Sequence, residues 1–161
     1  MKILIVVDMQ NGFMTKRNYI ELKEKIENYL KRNNYDKVIL TKFKNDISKN
    51  PLYQERIGWN KLVSNEEQEF CIDFPKDAIV FEKFGYGLEH KDLDYIKNLD
   101  AKSIDICGLK SNACVYAIAL QLFDAGINPN ILFNYVECEP ELKESMKQIF
   151  IKQFGSVDER Y

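Results

Sequence analysis

Three side chains far apart in the chain are of types that together make an acyl-transfer site: the acid Asp8, the amine Lys83 and the thiol Cys114. A sulfur nucleophile attacking a carbonyl carbon needs a group to take its proton and return it to the leaving nitrogen. It also needs donors for the charge that develops on oxygen. Asp8 has the chemistry of the first, with Lys83 to hold it and bias the charges. Backbone N–H groups in the turn before Cys114 have the chemistry of the second. Taken singly, each residue has a plainer reading. Asp8 caps a turn, Lys83 ends a strand in solvent, and Cys114 is a small apolar residue on a buried helix, the usual place of a free cysteine.

The elements that must position these groups are legible in outline. Ser103 to Gly126 (SIDICGLKSNACVYAIALQLFDAG) reads as a buried strand ended by Gly108, a tight turn and a buried helix stopped by Gly126. Ser111 is the expected N-cap. That places Cys114 at the third helical position, where free N–H groups and the helix dipole favour a thiolate. Lys2 to Val7 is an aliphatic run stopping at Asp8, the pattern of a central parallel strand. Tyr19, Leu22, Ile26, Tyr29 and Leu30 recur at helical spacing, with charged residues opposite.

Val38 to Phe43 is a second strand, and the polar stretch Lys44 to Glu69 is expected as a loop with a short helix or two. It contains Trp59, a residue that usually packs in such a setting. Ala78 to Glu82 is a third strand ending at Lys83 and followed by the turn Phe84-Gly85-Tyr86-Gly87. Asp92 to Leu99 is a short helix, Asn130 to Tyr135 a fifth strand, and Pro140 begins a last helix carrying Leu142, Met146, Ile149 and Phe154 on its apolar face. This alternation predicts an α/β fold, a three-layer αβα arrangement in which an open, Rossmann-like parallel sheet is covered by helices on both faces. One domain spans residues 1–161. The C-terminal ends of parallel strands share one edge, where ligands bind, so Asp8, Lys83 and the turn from Gly108 to Cys114 belong on the same side.

Composition narrows the partners. A chain of 161 residues with 23 basic and 25 acidic side chains has net charge −2, without the basic surplus a nucleic-acid partner requires. The apolar run at the N-terminus is too short to span a bilayer and lacks a small-residue cleavage site, so neither a membrane nor export is expected. Cys71, Cys107, Cys114 and Cys138 show no close pairing and are expected to stay reduced in a cytoplasmic protein. No CxxC occurs and His90 is the only histidine, which argues against a zinc site, and no cofactor is expected. GxGxxG and GxxxxGK[ST] are both absent, so no nucleotide is implied.

Three segments resemble the isochorismatase-like cysteine hydrolases, a family that includes nicotinamidases, N-carbamoylsarcosine amidases and ureidoacrylate amidohydrolases. VVDMQNGF (Val6 to Phe13) is similar to the first motif, with Asp8 at the catalytic acid. FEKFGYGL (Phe81 to Leu88) is similar to the second, with Lys83 at the catalytic lysine, and GLKSNACV (Gly108 to Val115) to the third, with Cys114 at the nucleophile. The resemblance covers nearly the whole chain. It implies a catalytic triad of Asp8, Lys83 and Cys114, an oxyanion hole made by the Lys110 and Cys114 amides around a cis Leu109-Lys110 peptide, and about six parallel strands, the last near Gly155 to Val157. Phe13 matches a ring that lines the pocket.

The sequence departs from the family in three ways. Nicotinamidases bind a metal through Asp-x-His and a further His after the second strand, whereas Lys42 to Asp46 here contain no histidine. The chain is also shorter than many relatives, and Lys110 stands where a small apolar residue is usual; its side chain is expected toward solvent or a partner subunit, the alternative being an inward turn that would favour an anionic substrate. Candidate pocket residues are Phe13, Phe43, Trp59, Phe84, Tyr86, Asn112, Tyr116 and Tyr135, an aromatic set suited to a small planar molecule.

The leading expectation is a cysteine hydrolase that cleaves a C–N bond of a small amide or ureido compound through a Cys114 acyl-enzyme. An isochorismate-type vinyl-ether hydrolase that uses Asp8 without a thioester is a second reading. A non-catalytic binding subunit on the same fold is a third. Dimers or tetramers fit the resemblance equally.

Overall fold

A computed structural model describes residues 1–161. Five parallel strands form one sheet: β1 (Ile3–Val7), β2 (Lys37–Phe43), β3 (Ile79–Lys83), β4 (Ser103–Gly108) and β5 (Asn128–Val136), in the order β3-β2-β1-β4-β5. The central strand β1 is buried along its whole length because it is apolar at every position. Its alternation sends Ile3, Ile5 and Val7 to one face of the sheet, and Leu4 and Val6 to the other.

Helices cover both faces. On the first, α4 (His90–Lys97), α5 (Cys114–Asp124) and α6 (Lys143–Phe154) pack Ile96, Val115, Ile118, Leu122, Met146 and Phe150 onto the odd-numbered residues of β1. On the second, α1 (Arg17–Arg32) packs Tyr19, Leu22, Ile26 and Tyr29 onto Leu4 and Val6. The apolar spacing predicted α1 well. In α6 it is Phe150 that enters the core, while Ile149 stays 38% exposed; a 3-10 turn at Pro140–Leu142 precedes the helix and delays its phase. No helix is long and apolar enough to cross a membrane.

At the expected place of a sixth strand the chain makes a single parallel bridge, Leu132 to Asp158, beside β5. Gly155 ends α6 in the left-handed region (φ 89°), and the following residues reach the sheet through only two backbone bonds, Phe133 N–H to Asp158 O (2.7 Å) and Asp158 N–H to Ile131 O (2.8 Å).

The strand order reverses between β1 and β4, so the crevice at their C-terminal ends is the switch point of the sheet. Gly108 closes β4 at φ 114°, and a Cβ there would sit 2.2 Å from the Val7 carbonyl oxygen. Glycine is therefore required for β4 to run this close to β1 before turning away. The long segment after β2 carries two four-residue helices, α2 (Leu52–Glu55) and α3 (Asn65–Gln68), the latter closed by a Ser64/Glu67 capping box.

Candidate active site

Asp8 leaves β1 in the left-handed region (φ 52°), a conformation that aspartate tolerates better than most residues, and is fully buried. Its backbone N–H donates to Thr41 Oγ1 (3.1 Å), and the Thr41 hydroxyl donates to Asp8 Oδ1 (2.6 Å). Thr41 lies on β2, so the strand between β1 and β3 fixes the carboxylate from the side. The sequence reading missed it, although a polar residue inside the run VILTKF was the available signal.

Lys83 ends the edge strand β3 and its side chain is also fully buried, which carries a large desolvation cost unless the charge is met. It is met from several sides. Nζ lies 2.8 Å from Asp8 Oδ2, 2.9 Å from the Gly85 carbonyl oxygen, 3.2 Å from Cys114 Sγ and 3.4 Å from the Tyr86 carbonyl oxygen, with the Phe43 ring 5.0 Å away. Burial opposes the charge on Lys83, but Asp8 and then Cys114 outweigh it and hold its pKa above the ordinary value. Asp8 Oδ2 meets Lys83 as an ion pair and accepts no aligned hydrogen bond, while Oδ1 is taken by Thr41.

Cys114 is the first residue of α5, not the third position expected. Ala113 is the N-cap and no side chain caps the helix, because Ser111 is drawn into the turn, where its N–H donates to the Glu137 carbonyl (2.9 Å). The expectation of an acidic thiol is also corrected. Burial, and next the negative charge of Asp8, push the Cys114 pKa up to about 12, more than Lys83 lowers it. One helix N-terminus does not overcome a buried carboxylate at the same sulfur. The turn contains the cis peptide Leu109-Lys110. Neither the Lys110 nor the Cys114 backbone N–H donates to any protein acceptor, so both are open to a ligand.

Cys114 lines a cavity of about 340 Å³. Of the expected lining residues, Phe13, Phe43, Trp59 and Tyr86 surround it. The other four face elsewhere. Tyr116 turns to the opposite side of α5 and packs on Phe150 and Phe154, and Tyr135 is buried against Tyr29 with ring centroids 4.5 Å apart. Asn112 is exposed in the turn, and Phe84 lies under Lys49, its carbonyl bonded by Asn50. Tyr53, Ile57 and Lys61 line the cavity although no sequence spacing singled them out, and Tyr19, expected only as part of the apolar stripe of α1, lines it as well. Lys110 is among the lining residues too, and its half-buried side chain carries Nζ over the Tyr19 ring at the edge of the cavity, 5.4 Å from the centroid. Trp59 is stacked on Phe13 (centroids 6.0 Å apart, planes at 27°) and tilted against Tyr53 and Phe43.

The loop bearing Trp59 is tied to the sheet by Asn45. Its Nδ2 donates to the Trp59 carbonyl (2.8 Å) and the Lys61 carbonyl (2.9 Å), and its backbone N–H donates to the Leu62 carbonyl (3.0 Å). Gln121 of α5 similarly clasps Leu88 after the Lys83 turn, accepting from its N–H (2.7 Å) and donating to its carbonyl (3.0 Å).

A parallel α/β sheet with a buried acid, a buried amine and a cavity-facing thiol at its switch point defines a class of small-molecule enzyme site. The chain belongs to the isochorismatase family of hydrolases, whose domain it matches over residues 2–134. No curated protein sequence matches the chain significantly.

Among solved structures, the chain is similar to a zinc-bound pyrazinamidase of Pyrococcus horikoshii (24% identity, TM-score 0.81, covering 98% of this chain and 97% of that one). It is also similar to a nicotinamidase of Bacillus subtilis (20%, TM-score 0.83, covering 98% and 99%) and an N-carbamoylsarcosine amidase of Thermoplasma acidophilum (20%, TM-score 0.78, covering 98% and 96%).

The residues after β2 do not fit a zinc ion. Asn45 is committed to the Trp59 loop, Asp46 accepts from Ser48 N–H and Oγ, and Lys44 pairs with Glu82. No three His, Cys, Asp or Glu side chains gather anywhere in a metal-binding cluster.

Proposed function

We propose that the protein hydrolyses the C–N bond of a small amide or ureido compound through a Cys114 thioester. The observation that carries this reading is the meeting of Asp8 and Lys83 with Cys114, which itself lines the cavity, with Lys83 Nζ 2.8 Å from Asp8 Oδ2 and 3.2 Å from Cys114 Sγ. A resting thiol with a pKa pushed up to about 12 calls for a base that removes its proton during attack. Asp8 has that role: Oδ2 takes the Sγ proton as sulfur bonds to the carbonyl carbon, while Thr41 keeps the carboxylate in register.

The developing oxyanion is received by the open N–H groups of Lys110 and Cys114, donors of a kind whose loss typically costs about 3–4 kcal/mol in the barrier. Asp8 then protonates the leaving nitrogen, the C–N bond breaks and the thioester remains. A water molecule that gives a proton to Asp8 attacks the thioester, releasing the acid and restoring the thiol. Lys83 stays protonated throughout and offsets the charge on Asp8 in each state where it is ionised. All four cysteines are free, which suits a nucleophile working in the reducing cytoplasm.

The test is a panel of small amides and ureido compounds assayed for ammonia release, with intact-mass measurement of the enzyme during turnover. The expected result is an acyl adduct on Cys114 and loss of turnover in Cys114→Ala. Full turnover in that variant would overturn the covalent route. Hydrolysis of isochorismate that depends on Asp8 but not on Cys114 would replace it by vinyl-ether chemistry.

A further inference from the structure

The cavity above Cys114 is lined by three lysines, Lys16, Lys61 and Lys110, and by no carboxylate. Binding pockets for small molecules are mostly apolar, with a few charged groups that fix orientation. Several ammonium groups around one small cavity repel one another unless an anion joins them. In the free protein that anion is Glu139, which stands outside the cavity lining and lies 3.9 Å from both Lys16 Nζ and Lys110 Nζ. Charge-assisted N–H···O bonds close to roughly 2.7–2.9 Å, so Glu139 holds both amines loosely and saturates neither.

The two amines converge from different parts of the fold. Lys16 precedes α1 and Lys110 follows β4, yet each lies over the same Tyr19 ring, at 5.7 and 5.4 Å from its centroid. Tyr19 thus carries two cations at the rim of the cavity. Burial works against the charge of Lys110, but its contact with Tyr19 and the nearby Glu137 and Glu139 raise its pKa, so it is an ammonium at neutral pH.

We infer that this rim is a carboxylate subsite: the substrate is a small amide bearing a carboxylate remote from its scissile C–N bond, which Lys16 and Lys110 bind in exchange for Glu139. The stacked Phe13 and Trp59 rings would hold the apolar middle of the molecule, between the anionic end at the rim and the carbonyl at Cys114. The inference deepens the amide-hydrolase reading and rests on it for the reaction, though not for the binding. The class implied is that of monoamides of dicarboxylic acids and their ureido counterparts.

Matched pairs test this, each with the same scissile amide: succinamate against butanamide, and 4-carbamoylbenzoate against benzamide. Ammonia release is expected to show kcat/KM at least about tenfold higher for the carboxylate member of the better pair, an advantage that shrinks with added salt. The double variant Lys16→Met/Lys110→Met should bring the ratio close to one. Glu139→Gln should raise it, because the competing carboxylate is removed. Lys16→Met and Glu139→Gln alter exposed side chains, so the ratio remains measurable if the double variant does not fold. An equal or reversed preference, or a ratio unmoved by these substitutions, overturns the subsite while leaving amide hydrolysis intact.

Calorimetry with Cys114→Ala separates the two claims. Binding of succinamate or 4-carbamoylbenzoate that is lost on Lys16→Met supports the subsite even if no amide is hydrolysed, in which case only the hydrolase reading fails. Binding of neither carboxylate member overturns the subsite.

Discussion

The floor and the rim of the cavity are built on opposite physical terms. Beneath the floor, behind Cys114, Asp8 and Lys83 are fully buried, Asp8 held by Thr41 and Lys83 by Asp8 and the Gly85 carbonyl, so neither charge can move without breaking packed structure. At the rim, Lys16 is 58% exposed and Glu139 39%, their contact is 3.9 Å, and the aromatic wall rides on a loop tied down largely by Asn45. A desolvated, over-determined floor suits a reaction whose charges must stay in register. A solvated, loosely paired rim suits selection among ligands, because exposed ion pairs exchange at low cost. The difference teaches that changes at the floor should act on turnover and stability together, and changes at the rim mainly on substrate binding.

The sharpest way to break that distinction is Asp8→Asn. It removes the proton acceptor and leaves Lys83 buried without its counter-charge. The expected loss is about 10²–10⁴-fold in kcat/KM, with a destabilisation of roughly 3–5 kcal/mol by denaturant titration. Retained activity would dissociate the floor from the chemistry. At the rim, Asn45→Ala frees the carbonyls of Trp59 and Lys61 and should cost about 1–3 kcal/mol locally. It should raise KM by about tenfold, since this is of the order of one such loss, with a smaller change in kcat. If kcat fell as far as in Asp8→Asn, floor and rim would be a single unit.

The smallest effect is in thiol chemistry. Because the Cys114 pKa is raised from the ordinary 9.0 to about 12, the folded protein keeps its proton well above neutral pH. Alkylation of Cys114 by iodoacetamide should therefore rise about tenfold per pH unit through pH 9 without levelling off. In Asp8→Asn one of the causes of the raised value is gone, so alkylation below pH 9 should be faster than in the parent protein. A plateau at acidic pH would mean a preformed thiolate and a floor dominated by Lys83.

The elements that were easy to read are those in which a single period carries the information. β1 and α1 are set by local apolar patterning, and the motifs around Asp8, Lys83 and Cys114 were readable as strand-end residues. Thr41 was harder, because its importance comes from lying across a sheet from Asp8, 33 residues away in the chain. Tyr53 and Tyr116 make the same point in reverse. Both are aromatic and near motifs or loops of interest, yet Tyr53 faces the cavity and Tyr116 the core, a choice made by the rotation of short helices about their axes. The acidity of Cys114 was misjudged for a related reason: helix position is a local property, whereas desolvation and the distance to Asp8 are not.

What the sequence alone determined is the layered α/β plan and the three residue types brought to one sheet edge, because strand periodicity and parallel topology follow from local patterns and connection rules. Only the tertiary structure decided that Thr41 orients Asp8, that Lys83 is desolvated between the acid and the sulfur, and that three lysines surround the cavity. Those facts depend on distances between residues remote in the chain, and electrostatic strength is set by such distances and by burial, neither of which a linear pattern contains.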